Sequence, residues 1–269
     1  MQKTWRSTLL VAYTLAILAF LYLPLFILTL YSFNDSRINA VWAGFTLKWY
    51  ASLLSNDRVL EALTNSLLIA SITTVVTTIM GTFAAIALHR YQYRSKTVLN
   101  SLLYLPILIP EIVMGLSLLI LFSQLGLSLG KPTLIVAHIT FCLPYVILSV
   151  LPKLRQMNPN LFEAAQDLGC PPVRAFFKVV LPEIMPGIVT GMIMAFTLSI
   201  DDFVISYFTS GTTQTLPIYI YSMTRKRISP EINALSTVLF VCIMLLLIII
   251  NVRQGREERR AKKAERERA

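Results

Sequence analysis

Six apolar runs constrain this chain more than anything else in it, at about residues 8–32, 63–88, 98–122, 132–152, 183–207 and 234–251. A helix needs roughly 20 residues to cross a hydrocarbon core ~30 Å thick, and these runs have about that length. Inside lipid a backbone amide finds no water, so a run of this kind must close its hydrogen bonds within itself as an α-helix. Composition points the same way: 55% of residues are hydrophobic, only 14% are charged, and mean hydropathy is +0.66. Too little polar surface remains to cover a water-soluble core. The expected fold class is all-α integral membrane, with six transmembrane helices joined by short connections. Residues 1–252 would form one transmembrane domain, and residues 253–269 a charged tail.

The first run follows Lys3 and Arg6. It is longer than the ~7–15 residues of a signal-peptide core and has no small-residue cleavage site after it, so an uncleaved first helix is expected. With the N-terminus inside, alternate connections carry 17 of the Lys and Arg residues on the inner side and 7 on the outer. That imbalance orients both termini toward the cytoplasm. The net charge of +10 therefore sits mainly at span ends and in the Arg/Lys/Glu-rich tail. No aromatic residue interleaves with the tail's charges, which argues against nucleic acid and for anionic lipid headgroups. Cys142 and Cys242 fall within runs and Cys170 in an inner connection, with no C-x-x-C or Cys/His metal spacing.

Two outer connections are long enough to hold structure. Asn34 to Glu61 includes Trp42, Trp49 and Tyr50, rings that suit either an interfacial amphipathic segment or simple anchoring at headgroup depth. Ser210 to Asn233, with Gly211, Pro217 and Pro230, reads as a turn plus a short helix. Pro106 and Pro110 share one helix face in the third run and Pro144 lies in the fourth. Each removes a backbone donor, so kinks or unwound stretches are expected there.

Between the fourth and fifth runs lies a polar island, residues 157–182. Asn158-Pro159 fits a helix start, with Asn as cap and Pro at the first helical position. The helix would carry Glu163, Ala164 and Ala165 and end at Gly169, where a left-handed turn is needed. A second short helix would begin at Cys170-Pro171-Pro172 and feed the fifth run through Leu181-Pro182. Leu161, Phe162 and Ala165 would make an apolar stripe rimmed by charge, the kind of surface that docks in a groove.

Glu111, Asp201 and Asp202 are acids within the apolar runs, with His138 as a neutral-capable fourth group. An ionised group at mid-bilayer costs roughly 2.5–3.5 kcal/mol on insertion scales, so such residues tend to face a cavity and mark a pathway. No Lys or Arg lies within the runs to pair with them, which makes an arriving cation a natural partner. Counted along straight helices, Glu111 would lie about 20 Å and Asp201 about 27 Å above the inner face. Adjacent helical residues point ~100° apart, so one Asp would face the lumen while the other caps or bonds locally. Tyr207, Phe208, Phe141 and Tyr145 could offer cation–π contacts, and Ser199 a further polar contact.

The spacing E-A-A-x-x-x-G, nine residues, V-x-L-P resembles the signature loop of ATP-binding cassette importer permeases. Further strings are similar to spermidine/putrescine permease subunits of that family: Tyr31-Ser32-Phe33-Asn34, Trp42-Ala43-Gly44-Phe45, Lys48-Trp49-Tyr50, His138 to Cys142, Phe196 to Asp202, and Pro230 to Leu235. They are collinear and span nearly the whole chain. The resemblance implies the type I importer permease fold, with Glu163, Ala164, Ala165 and Gly169 coupling to the ATPase. It also implies a second, different permease subunit, a homodimeric ATPase, a periplasmic or lipid-anchored binding protein, and polyamine as cargo. It places the chain in a bacterial inner membrane. Where this chain has Glu111 the family often has Asp; the charge is kept with a longer reach, and the choice between putrescine and spermidine stays open.

The chain has no G-x-x-x-x-G-K-[ST] loop, so ATP and Mg would belong to another polypeptide, with no cofactor on this one. The expected mechanism is alternating access driven by that ATPase, with Glu111, Asp201, Asp202, Ser199 and Tyr207 along the pathway. The same machine carrying another small solute is an alternative, as is a proton-coupled cation carrier. An enzyme is the weakest reading, since His89 and His138 have no nucleophile or metal constellation around them.

Overall fold

In a computed structural model of the chain, the described residues are 2–36, 41–90, 96–226 and 230–242, with positions 244, 245, 248 and 252 beyond them. The expected charged tail and the end of the sixth apolar run lie outside the described residues. Within them the structure is helical, and the only strand-like pairing among them is a single bridge between Asn34 and Phe45. The chain divides into two compact units, Met1–Asp57 with Ile220–Ala269, and Arg58–Tyr219.

The first unit contains α1 (Gln2–Ser32), α2 (Lys48–Leu54) and α12 (Pro230–Cys242). The connection after α1 is organised by Asn34. Its side-chain amide donates to Val41 O at 2.7 Å, its Oδ1 accepts from Ala43 N at 2.8 Å, and its own carbonyl accepts from Trp49 Nε1 at 2.8 Å. Trp49 and Leu53 form the buried face of α2, while Trp42 stays half-exposed. Asp35 pairs with Lys48, and Ser52 Oγ donates to Glu231 of α12 at 2.7 Å. The connection is thus folded by its own polar groups, with one of its tryptophans packed inward.

The second unit holds most of α3 (Asp57–Arg90), then α4 (Lys96–Leu108), α5 (Glu111–Gln124), α6 (Lys131–Gln156), α7 (Leu161–Asp167), α8 (Pro172–Ala175), α9 (Leu181–Asp201), α10 (Val204–Thr209) and the start of α11 (Leu216–Lys226). Among the described residues of the whole chain, α1 included, four helices are long and apolar enough to cross a membrane, or five when the bent pair α4–α5 is taken as one span. The third run is therefore not one straight helix. α4 and α5 meet at 102°, because Pro110 cannot donate to the preceding turn and takes an extended ψ of 133° just before Glu111. The depth of Glu111 counted along a straight helix does not survive this bend. Pro144, by contrast, lies inside an unbroken α6.

Small residues let the long helices approach. The buried face of α3 runs through Ala62, Ser66, Ala70, Thr73, Thr77, Gly81 and Ala85, the three-and-four spacing of one helical stripe. α6 and α9 pack along much of their lengths. A Cβ on Gly187 would lie 2.8 Å from Ser149 O, and one on Gly191 would lie 3.1 Å from Val146 Cα. Such close backbone approach is how helices associate where burial of apolar surface gives no drive. Around this seam Phe122, Phe141, Val146, Val150, Ile184, Ile188 and Ile205 form the core.

Candidate functional site

The island at 157–182 folds as two short helices around a glycine turn. Its first helix starts later than the Asn158-Pro159 pattern predicts. Asn158 instead opens a turn, with its Oδ1 accepting from Asn160 N at 3.0 Å and its carbonyl from Leu161 N at 3.2 Å. Pro159 then occupies the second turn position, for which its fixed φ is suited, and α7 begins at Leu161. The far end closes as expected: Gly169 has φ +79°. Its N–H donates to Gln166 O at 2.8 Å and that of Cys170 to Ala165 O at 3.1 Å, the two bonds of a Schellman motif.

After Pro171, α8 gives way to a π-helical turn, Phe176–Val180, in which Leu181 N–H reaches back to Phe176 O. Pro182 follows and has no N–H to continue the ordinary ladder. The widened turn accommodates that proline without ending the helix, and α8 through α9 reads as a 30-residue run from Pro172 to Asp201.

The expected apolar stripe of the island is divided. Phe162 turns inward against the core, with the Arg90 guanidinium 5.0 Å from its ring centroid. Glu163 and Ala164 are exposed and Ala165 is partly so. The apolar side chains most open to the surroundings are Leu168 (89% exposed), Val173 (69%) and Phe177 (59%). They flank the Gly169 turn and give the loop a greasy, charge-bordered outer surface.

The acids separate into two kinds. Glu111, the first residue of α5, and Asp201, the last of α9, are both exposed. Neither makes a salt bridge or a side-chain hydrogen bond among the described residues. Glu111 lies within electrostatic reach of Asp202 and, to a lesser degree, of Asp201, and Tyr145 is within reach of Glu111.

Asp202 is different. It ends the fifth run, which stops at Asp201 rather than continuing to 207, because Asp202 adopts an extended ψ of 120°. Its carboxylate turns back to accept from Ile205 N at 3.3 Å and Ser206 N at 2.7 Å, capping α10. His138 Nε2 stands 3.4 Å from the same carboxylate. Its Nδ1 is 2.7 Å from Ser199 Oγ, and its Nε2 is 2.9 Å from Ser206 Oγ. All four side chains are buried.

Asp202 and Ser199 are thus committed to an internal network, while Glu111 and Asp201 are open. One of the acids is also not alone, since His138 Nε2 stands beside the Asp202 carboxylate. Tyr207 is half-exposed beside Phe203 and Phe208, whereas Phe141 is buried against Tyr145 at 5.7 Å. Sequence reasoning missed Ser206; it expected one Asp of the pair to cap or bond locally, and the structure shows that this one is Asp202. The sequence signal was a His and an Asp in separate apolar runs, but their meeting depends on how α6 packs against α9.

The profile of the family described as binding-protein-dependent transport system inner membrane component matches residues 77–263. The chain belongs to that family. It is therefore a transport permease subunit rather than an enzyme. The permease is 43% identical over 234 residues to the spermidine/putrescine transport system permease protein PotC of Escherichia coli (strain K12), covering 87% of this chain and 89% of that protein. It is 40% identical over 247 residues to the putrescine transport system permease protein PotI of the same strain, covering 88% and 86%. It is also 32% identical to a PotC homolog of Mycoplasma genitalium, over 97% and 96% of the two chains. In fold the permease is similar to a chain of a bacterial ABC transporter that imports the acidic polysaccharide alginate, with TM-score 0.73 over 93% of this chain and 97% of that one at 13% identity. An amino acid ABC transporter chain aligns with TM-score 0.56 at 19% identity, covering 78% of this chain and 100% of that one.

Proposed function

We propose that this permease pairs with a second permease subunit to form the pathway by which polyamines, putrescine or spermidine, enter a bacterial cell across the inner membrane. The observation that carries the cargo is the pair of exposed carboxylates, Glu111 and Asp201, in apolar segments with no cationic partner among the described residues. Two separate anions in a low-dielectric channel suit a flexible chain with a cation at each end. Relatives whose names state spermidine or putrescine transport, aligned over most of the chain, support that chemistry.

In this reading residues 1–252 are the transmembrane domain with six spans, both termini are cytoplasmic, and 253–269 is a charged tail. The 157–182 island is the cytoplasmic coupling loop. Glu163, Ala164 and Ala165 on α7, held by the Gly169 turn, meet a homodimeric ATPase that supplies ATP and Mg. An extracytoplasmic binding protein delivers the polyamine. Closure of the ATPase pushes the loop, the motion runs along α8 and α9, and the pathway opens outward near Asp201. The cation leaves its binding protein for Asp201 and Glu111, with Tyr207 as a further contact along the way, and hydrolysis returns the pathway to the inner side.

The test is ATP-dependent uptake of labelled putrescine and spermidine into vesicles holding the complete transporter. Glu111→Gln and Asp201→Asn should each lower uptake at least about tenfold while the complex still assembles, since each removes one ion contact in a water-poor site. Normal uptake by both variants would remove the acids from the pathway and leave the coupling loop untouched.

A further inference from the structure

The buried network around His138 touches neither of the open carboxylates, yet it sits between the elements that carry them. Its four bonded groups come from α6 (His138), α9 (Ser199), the α9–α10 link (Asp202) and α10 (Ser206). Asp201 is covalently next to this knot. On its other side α10 is seated tightly on α5: a Cβ on Gly115 would lie 2.8 Å from Phe208 Cδ2 and 3.4 Å from Ile205 Cα. Glu111 is one turn from Gly115 on the same helix. A further tie, Thr133 Oγ1 donating to Thr209 O at 2.9 Å, fixes the end of α10 to α6. The positions of the two exposed acids are therefore linked through α10, and the break that sets α10's direction is held by the Asp202 cap and the imidazole.

We propose that His138 is a positioning residue which, through Asp202 and α10, fixes the separation of the Glu111 and Asp201 carboxylates and so selects linear diamines by the distance between their cationic ends. This rests on the polyamine function proposed above. A ring that bonds on both nitrogens has one orientation available, so it holds Ser199 and Ser206 at a set span that no aliphatic side chain reproduces. A diamine whose nitrogens match the carboxylate separation makes both ion contacts; one that is too short or too long makes one well and the other poorly. A loosened break lets the two acids adjust to either, and discrimination falls while each contact survives.

The experiment is competition for labelled putrescine uptake by the complete transporter in vesicles, using unbranched diamines with three to six carbons. In the parent protein the best and next-best diamines should differ clearly. His138→Ala should narrow that difference about fivefold, the worth of one partly screened ion contact. His138→Gln, whose amide reaches the Nε2 position, should restore most of it. Ser206→Ala removes a single bond of the network and should shift the profile in the same direction, which keeps the test decisive where His138→Ala does not assemble. A length profile that stays unchanged in these variants while overall uptake drops would overturn the proposal, because a purely structural role lowers all diamines alike. If the parent transports neither putrescine nor spermidine, the proposed function itself fails; if it transports spermidine but no diamine, the positioning role fails and the function stands. If the parent transports diamines and Asp201→Asn abolishes uptake while the profile of the His138 variants stays put, only the positioning role fails.

Discussion

The Gly169 turn offers a perturbation whose size can be worked from geometry alone. The residue has φ +79°, and a Cβ added there would meet nothing within 4 Å. Crowding within the chain therefore contributes nothing, and the whole cost of a substitution is conformational. Forcing an ordinary L-residue into the left-handed region costs ~1–2 kcal/mol, whereas Asn visits that region readily. A cost of ~1–2 kcal/mol lowers the occupancy of the native turn about 5- to 30-fold relative to alternatives. The two carbonyls it satisfies, those of Ala165 and Gln166, are then left without their partners in the altered turn. The assay is ATP turnover stimulated by loaded binding protein, measured on the complete transporter in nanodiscs, together with recovery of the ATPase on tagged permease. Activity should fall in the order Gly, Asn, Ala, Val, with Gly169→Asn within about threefold of the parent and Gly169→Val lower by ten- to thirtyfold, as roughly expected for left-handed strain. Equal activity for all four would refute the argument from φ. Equal loss in Asn and Val would mean that side-chain size against a partner surface, not backbone conformation, decides the outcome.

Asp202→Ala should destabilise the permease by about 2–4 kcal/mol, because it leaves the buried backbone donors of Ile205 and Ser206 without their acceptor; thermal aggregation of purified protein reads this, and Asp201→Ala on an exposed site should be near neutral in the same assay. Gly187→Val should cost about 1–3 kcal/mol by forcing α6 and α9 apart at Ser149 and Lys153, seen as a lower melting temperature in detergent. Phe162→Ala should loosen the island, removing its ring from the core and from Arg90, and faster protease cleavage between α6 and α9 would register it. The Arg90→Lys variant should retain most of that protection, since an ammonium can also sit over the ring.

The helices were readable because the apolar runs reflect a local rule, that backbone in lipid must bond to itself. The glycine turn of the island was readable for a related reason: a Schellman closure depends on a few neighbouring residues. Tertiary features were less accessible. Two prolines in one run announce a disturbance, but the 102° between α4 and α5 depends on what those helices pack against. The pair Asp201-Asp202 shows the same boundary. Spacing alone separates their directions, but which one is buried follows from His138 arriving on α6, and nothing near residue 202 in the chain reports that. The π-turn is intermediate: Pro182 predicts a missing bond, while the choice between a break and a widened turn is made by the continuity of α8 with α9.

That widened turn has a mechanical meaning. Beyond it α9 is a rod of 21 residues, about 31 Å long at 1.5 Å per residue, with Asp201 at its tip. A π-turn is a weak place in a helix, its bonds longer in reach and its packing poorer, so bending concentrates there. A tilt of about 10° at that base swings the tip by roughly 5 Å, given a rod of that length. The same tilt moves the Gly169 end, which lies close to the pivot, by far less. The rod is thus a lever with its short arm in the polar island and its long arm at the open carboxylate.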